Sequence, residues 1–295
     1  MREEITNATI LITGASDGLG KEAARQLAAR GARLILHGRN EAKLQSVVDV
    51  IRAEFPDARI DTILADFSSL AQVRAMAETL NARYEHLDVL VNNAGVLPLR
   101  RLKSADGFEL TFAVNYLAPF LLTNLLLPLL KRSAPARIVN LSSIAHHLVV
   151  VSPLQIESIP GFVGWIVYAR TKLLLTTFTL ALARRLEGSG VTCNALHPGI
   201  IPGTNVTRVM WLRFQTTREE GAQTIVNCCL NPELAKVTGE YISIDRIARA
   251  NPQALSLRFQ ETLWKKSLAW CGLDKNGQSE FAGKSGKPGI LMPPI

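Results

Sequence analysis

Two groups of residues in this 295-residue chain have types and spacings suited to chemistry. The first is a glycine turn, Gly14-x-x-x-Gly18-x-Gly20, which follows the apolar run 9–12 and leads at once into a helical pattern over 21–29. Glycine at 14 lets the backbone turn sharply, glycine at 18 leaves no Cβ between chain and pyrophosphate, and glycine at 20 lets the helix lie close on a sheet. The first amides of that helix are unpaired donors at the positive end of its dipole, so an anion there is stabilised. Ser16, Asp17 and Leu19 complete the turn. The second group is Tyr168-x-x-x-Lys172, whose spacing puts a phenol and an ammonium on one helical face. A positive charge about 5 Å from a phenol of ordinary pKa near 10 contributes on the order of 3 kcal/mol at an effective dielectric of about 20, or roughly two pKa units. Such a phenol can give a proton to a developing oxyanion and take it back.

The elements that must position these groups alternate. Strand patterns fall at 9–12, 33–37, 60–64, 87–91, 137–141, 191–196 and, last, 241–244. Helical patterns fall at 40–54 with Asn40 as cap, 70–84 capped at Ser68 or Ser69, 106–130, 168–186 and 218–230, with an amphipathic stretch at 254–271. This interval of strand and helix predicts an α/β fold, a doubly wound parallel sheet of Rossmann type with helices on both faces. One domain over 1–272 is expected, carrying a Pro- and Gly-punctuated insert at 144–167. Residues 200–215 are expected to be mobile and 273–295, rich in Gly, Pro and Lys, to be a loosely held tail. In such sheets ligands collect beyond the carboxyl ends of the strands. Each marked cluster falls at such an end: the glycine turn, Gly38-Arg39, Asp66-Phe67, Asn92 to Gly95, Ser142-Ser143 and Pro198-Gly199.

Composition excludes several classes. The chain carries 33 basic and 25 acidic residues, a net +8, but the basic residues are scattered with no dense run among aromatics, so a nucleic-acid partner is not expected. Cys193, Cys228, Cys229 and Cys271 show no C-x-x-C spacing and read as free, mostly buried thiols in a reducing, cytoplasmic setting. The first strand pattern begins within a few residues of Met1, so neither a signal peptide nor an anchor is expected. The most apolar stretch, 116–130, is about fifteen residues interrupted by Pro119, Asn124 and Pro128, too short for a transmembrane segment in a bilayer of roughly 30 Å. His146, His147 and His197 have no Cys or carboxylate companion at ligand spacing and read as loop histidines, with no metal site.

Taken in order, Thr13 to Gly20, Asn92 to Gly95, Asn115, Ser143, Tyr168-x-x-x-Lys172 and Pro198-Gly199 resemble the short-chain dehydrogenases/reductases over roughly residues 6–245. Ser142-Ser143-Ile144-Ala145-His146-His147, Leu196-His197-Pro198-Gly199 and Glu219-Glu220-Gly221-Ala222-Gln223-Thr224 resemble that family's retinol-dehydrogenase-like branch. The resemblance implies an enzyme in which Tyr168 donates or accepts the proton and Ser143 orients the carbonyl oxygen. It also implies that Lys172 touches the nicotinamide ribose and that Asn115 holds a water leading from Lys172 to solvent. Asp66 with Phe67 would lie at the adenine, Asn92, Ala94 and Gly95 along the dinucleotide, and Pro198-Gly199 and Thr204 over the nicotinamide. The family often forms dimers or tetramers, so a homo-oligomer is an open expectation.

Cofactor choice turns on the end of the second strand, where an acid would bind both ribose hydroxyls of NAD. This chain has Gly38 and Arg39, and a guanidinium suits a 2′-phosphate, so NADP(H) is preferred and NAD(H) remains the alternative. Asp17 in the glycine turn argues the other way. Ser143 and Tyr168 are 25 positions apart, about twice the spacing in many family members, so the insert is expected to enlarge the pocket wall. Leu148, Val149, Val150, Val151, Phe162, Val163, Trp165 and Ile166 make that wall apolar, which favours a retinoid, steroid or lipid-like carbonyl or alcohol. The same side chains could instead pack against 254–271 or a partner subunit, and Leu257, Leu263, Trp264 and Leu268 beside Lys265 and Lys266 could form a packed helix, a lid or a membrane contact. A ketoreductase of a biosynthetic polyketide or aromatic intermediate, and a dinucleotide-sensing regulator without catalysis, are the competing functions.

Overall fold

Parallel pairing of short apolar strands builds the centre of the molecule. The computed structural model describes residues 8–152, 163–201 and 216–274. Its strands are β1 (Thr9–Ile12), β2 (Arg33–Gly38), β3 (Ile60–Leu64), β4 (Val89–Asn92), β5 (Ala136–Leu141), β6 (Val191–His197), β7 (Tyr241–Ser243) and β8 (Arg246–Ala248). They lie in the order β3-β2-β1-β4-β5-β6-β7-β8, parallel except for the last pair. The chain runs outward from β1 through β2 to β3, then returns to place β4 on the other side of β1. That reversal opens a crevice beyond the carboxyl ends of β1 and β4, where doubly wound sheets bind ligands.

Strand residues alternate between two cores. Ile10, Ile12, Leu34 and Leu36 face one layer with α1 (Gly18–Ala28), α2 (Glu41–Glu54) and α6 (Arg218–Leu230). Leu11 and Ile35 face the other with α3 (Leu70–Arg83), α4 (Leu110–Arg132), α5 (Gly164–Arg185) and α8 (Leu257–Trp270). Both faces being covered explains why the strands read as continuous apolar runs. A short helix, α7 (Pro252–Leu255), precedes α8. The expected caps are in place: Asn40 accepts from the Lys43 amide at 2.9 Å, and Ser69 is the residue that caps α3.

Several expectations are corrected. The long helix starts at Leu110, because Asp106 sits in a turn and accepts the Leu70 amide at 2.8 Å, and its stretch Ala113–Leu117 winds as a π-helix. α5 starts at Gly164, four residues earlier than its pattern suggested. The strand at 241 is followed by another, β8, which closes a hairpin. The length argument against a membrane span fails: Leu110–Arg132 has 23 residues and, like Gly164–Arg185, is long and apolar enough to cross a bilayer, although 83% of the apolar window in each is buried within the protein. The four thiols are free and buried as expected.

The segment read as a packed helix, a lid or a membrane contact is mainly a packed helix. Leu263 and Trp264 are buried, the Trp264 ring lies 5.3 Å from Phe120 and 5.9 Å from Phe178, and Ser267 meets the Tyr116 hydroxyl at 2.6 Å. Leu257 at its start is exposed.

Candidate active site

The glycine turn is built without slack. A Cβ on Gly20 would stand 2.5 Å from both the Gly14 carbonyl and the Asn93 amide nitrogen, and one on Gly14 would stand 2.7 Å from the Ala94 Cα. Gly18 adopts φ +58 and faces open space, so a ligand can approach its backbone closely. Two side chains weld this turn to the end of β4. The Thr13 hydroxyl donates to the Val91 carbonyl at 3.2 Å and accepts the amides of Asn93 and Ala94. The Asn93 side chain donates to the carbonyls of Thr13 and Gly14. Asn92, expected along the dinucleotide, is instead buried and donates to Thr123 and Asn140 in the layer beneath. Successive residues at a strand end point to opposite sides, and Asn93 is the one that faces the turn.

An imidazole that the sequence did not mark joins the other cofactor-side loops. His37 Nδ1 accepts the Gly14 amide at 3.2 Å, which leaves Nε2–H to donate to the Ala65 carbonyl at 3.0 Å. Its ring stacks on Phe67 at 4.2 Å, so Phe67 supports the adenine-side loop from within instead of presenting its ring to solvent. Burial pushes the His37 pKa down to about 4, which keeps the ring neutral. Asp66 accepts the Ser68 amide at 2.8 Å and remains partly exposed. Asp17 caps α1 by accepting the Gly18 amide at 2.7 Å. Arg39 is exposed and makes no ion pair among the described residues, and Gly38 lies against Ser16 across the strand ends.

The acid–base group sits at the neighbouring strand end. Ser143 lies two residues past the end of β5, accepts the Ala145 amide at 3.2 Å and lies within hydrogen-bonding reach of the Tyr168 phenol. Lys172, one turn along α5, lies 5.4 Å from the centre of the Tyr168 ring and donates to the Leu141 carbonyl at 2.6 Å. Its burial lowers its pKa to about 8. The expected lowering of the Tyr168 pKa is not seen: burial raises it to about 12, and the hydrogen bond from Ser143 opposes that only in part. Tyr168 keeps some contact with solvent.

Asn115 links the two groups. Its side chain accepts the Val96 amide at 2.7 Å and donates to the Val96 carbonyl at 3.0 Å and to Thr171 at 3.4 Å, beside Lys172. Both amide hydrogens are thus already engaged within the protein. Gly95 lies against the same side chain, so contacts run without a break from the glycine turn through 93–96 and Asn115 to Thr171, the residue before Lys172. Past β6, Gly199 takes φ +96 in close approach to Thr216, whose amide donates to the Ile200 carbonyl at 2.8 Å. Gly221 lets α6 approach Leu19 and Pro198. Thr204 and Phe162 lie outside the described residues, as do residues 1–7, the middle of the insert (153–162), most of the segment expected to be mobile (202–215) and the tail from 275.

The insert's described residues divide between the two expectations. Leu148, Val150 and Val163 are exposed, while Val151 is buried and pairs through its backbone with the Gln253 side chain. Of His146, His147 and His197, read as loop histidines, only His147 is exposed, and it lies with His146 in a 3-10 turn; His146 and His197 are buried, both with pKa values pushed down to about 4 by burial. No cluster of His, Cys, Asp or Glu suited to a metal ion occurs among the described residues.

A glycine cradle for a dinucleotide that leads through unbroken contacts to a phenol and an ammonium defines a class, the dinucleotide-dependent oxidoreductases. The chain matches the short chain dehydrogenase family over residues 8–212. It is 38% identical over 278 residues to human (Homo sapiens) retinol dehydrogenase 12, covering 92% of this chain and 88% of that protein, and 38% identical over 291 residues to retinol dehydrogenase 14 of Mus musculus, covering 90% and 86%. Among solved structures, a protein of uncharacterised function from Mycobacterium paratuberculosis superposes with a TM-score of 0.76 at 27% identity, covering 90% of this chain and 94% of that one. An NADP active-site complex of Pseudomonas aeruginosa RhlG superposes at 0.66 with 29% identity, covering 81% and 94%. The chain belongs to the short-chain dehydrogenase/reductase family, in its retinol-dehydrogenase-like branch, and is an NAD(P)-dependent oxidoreductase acting on CH–OH or C=O groups.

Proposed function

We propose that this enzyme prefers NADP(H) and interconverts an aldehyde or ketone with its alcohol on an apolar, retinoid- or lipid-like substrate, with Tyr168 as proton donor and acceptor. The observation that carries the reading is the meeting of the Ser143 hydroxyl with the Tyr168 phenol beside the buried Lys172, past the end of β5 and two strands from the glycine cradle. A bound nicotinamide supplies or takes up the hydride. In the reducing direction Ser143 holds the carbonyl oxygen by a hydrogen bond, and Tyr168, protonated throughout the neutral range, gives its proton to that oxygen as charge develops. Lys172 stabilises the resulting phenolate with its charge. In the oxidising direction the phenol must first lose its proton, so alcohol oxidation is expected to rise with pH.

The residues fit the cofactor: the glycine cradle admits a pyrophosphate, and the exposed Arg39 guanidinium next to Gly38 and Ser16 suits a 2′-phosphate. An apolar substrate is supported by the exposed Leu148, Val150 and Val163 and by relatives named for retinol, a long apolar alcohol. A reducing, cytoplasmic setting accords with four free buried thiols. The test is turnover of a long-chain aldehyde with NADPH and NADH. The wild type should favour NADPH, and Arg39→Asp should move the ratio of kcat/KM values toward NADH by about tenfold or more, the size of one lost charge-assisted phosphate contact. An unchanged ratio removes Arg39 from the phosphate site.

A further inference from the structure

The turn that carries Ser143 is fastened to a segment more than a hundred residues further along. His146 is fully buried, and its two ring nitrogens have different partners. Nε2 faces the backbone amide of Asn251 at 3.2 Å, which can only donate, so Nε2 is the acceptor and Nδ1 carries the hydrogen. Nδ1–H then donates to the Ser143 carbonyl at 2.7 Å. Asn251, also buried, completes the fastening by donating from its side chain to the carbonyls of His146 at 2.8 Å and Val149 at 3.1 Å. Its own side-chain oxygen accepts the Gln253 amide at 2.8 Å and so starts α7, while Gln253 pairs with both backbone groups of Val151. The imidazole is wedged between His147 and the Tyr241 ring, 3.9 and 4.5 Å away.

We infer that His146 and Asn251 are positioning residues, which together lock the Ser143 turn and the apolar wall behind it to the C-terminal segment. The backbone of Ser143 is gripped from within its own turn by the His146 amide and ring, and the ring in turn is held by residue 251. Displacement of 251 therefore displaces the hydroxyl that orients the carbonyl, and it shifts Val149 and Val151 in the wall. Shifts of this kind lower turnover far more than cofactor affinity, because near-attack geometry is lost while the dinucleotide contacts remain. The inference rests on the carbonyl–alcohol reading above.

The test compares full-length wild type, His146→Phe, His146→Gln and Asn251→Ala. Phe keeps the ring's bulk and removes both hydrogen bonds, and Gln can restore a donor and an acceptor. With NADPH and an aldehyde series from butanal to decanal, His146→Phe should bind NADPH within twofold of wild type yet lose ten- to a hundredfold in kcat, with His146→Gln recovering part of it. Asn251→Ala should raise KM for decanal more than for butanal. Amide hydrogen exchange, which needs no turnover, should quicken at 145–149 in His146→Phe and Asn251→Ala but not at 13–20. Faster exchange without a fall in kcat, or exchange unchanged at 145–149, overturns the positioning role. Inactivity of the wild type with every aldehyde and both cofactors would instead overturn the functional reading, and the exchange experiment would still decide whether the latch exists.

Discussion

Around the glycine turn the clamps join the ends of paired strands, whereas around Ser143 they join segments that lie outside the sheet. Ile12 is in register with Leu36 on one side and Val91 on the other, so Gly14, His37 and Asn93 arrive together because the sheet delivers them together. What remains is closed by contacts with no room for a Cβ. On the substrate side, a single 3-10 turn at Ile144–Leu148, an extended run at 149–151 and the start of α7 are held by a few side chain–backbone bonds, and Leu148, Val150 and Val163 are left exposed. The difference suggests a division of labour: regular elements specify the cofactor side to a fraction of an ångström, and the substrate side can change its wall without disturbing the sheet.

That comparison can be broken at its rigid side first. Gly20→Ala places a methyl against the Gly14 carbonyl and the Asn93 amide, so the turn itself must move. NADPH affinity measured by fluorescence titration should fall about a hundredfold or more, and stability should drop by about 1–3 kcal/mol as in other overpacked sites. Binding that survives would show that the cradle has slack.

Lys172, at the border between the two sides, should trade stability for turnover. Its pKa in the folded protein is about 8, below the ordinary lysine value of 10.5, so its protonated form opposes folding. The penalty is complete below about pH 8 and fades as the pH rises to 10.5, and its size is roughly 3 kcal/mol. Lys172→Met should therefore lower kcat by a factor on the order of 100. In urea melts at pH 7 it should be more stable than wild type, less about 1 kcal/mol for the lost bond to Leu141. The stability gain should disappear near pH 10.5, and its absence at pH 7 would mean that the ammonium is not strained in the fold.

The smallest effect belongs to the hairpin at the sheet's edge, on the substrate side. Ile244 has φ 59, a conformation that a β-branched residue adopts only under strain, and its side chain is exposed. Ile244→Gly should stabilise the protein by about 1 kcal/mol or less, since the relief of strain is partly offset by glycine's unfolded-state entropy. Cofactor affinity should not change, and if it does, the two sides are coupled more tightly than the contacts indicate.

How much was legible in the sequence follows the same division. The strands, the caps at Asn40 and Ser69, the glycine turn and the Tyr168–Lys172 spacing were readable because each rests on a short-range rule: an apolar run, a cap next to its helix, a residue four positions away. The π-wound turn at Ala113–Leu117 was hidden because its apolar residues satisfy an ordinary helical pattern equally well. The hairpin strand β8 has three residues, too few to show alternation. Asn93 was overlooked beside Asn92 because the point at which β4 ends decides which of the two faces the turn. His146 looked like a loop histidine because the residue that buries and binds it is 105 positions away. The elevated Tyr168 pKa was hidden as well, since the effect of the Lys172 charge can be written from spacing while burial cannot.

The most direct measurement is the single-turnover reduction of a long-chain aldehyde by Tyr168→Phe loaded with NADPH. The hydroxyl is the only group removed, and the glycine cradle, Arg39 and Ser143 are untouched. NADPH should bind within about twofold of wild type while the hydride-transfer rate falls by a factor on the order of 1,000, the upper part of the range for a lost general acid. A rate within tenfold of wild type would contradict the central claim that the Tyr168 phenol supplies the proton.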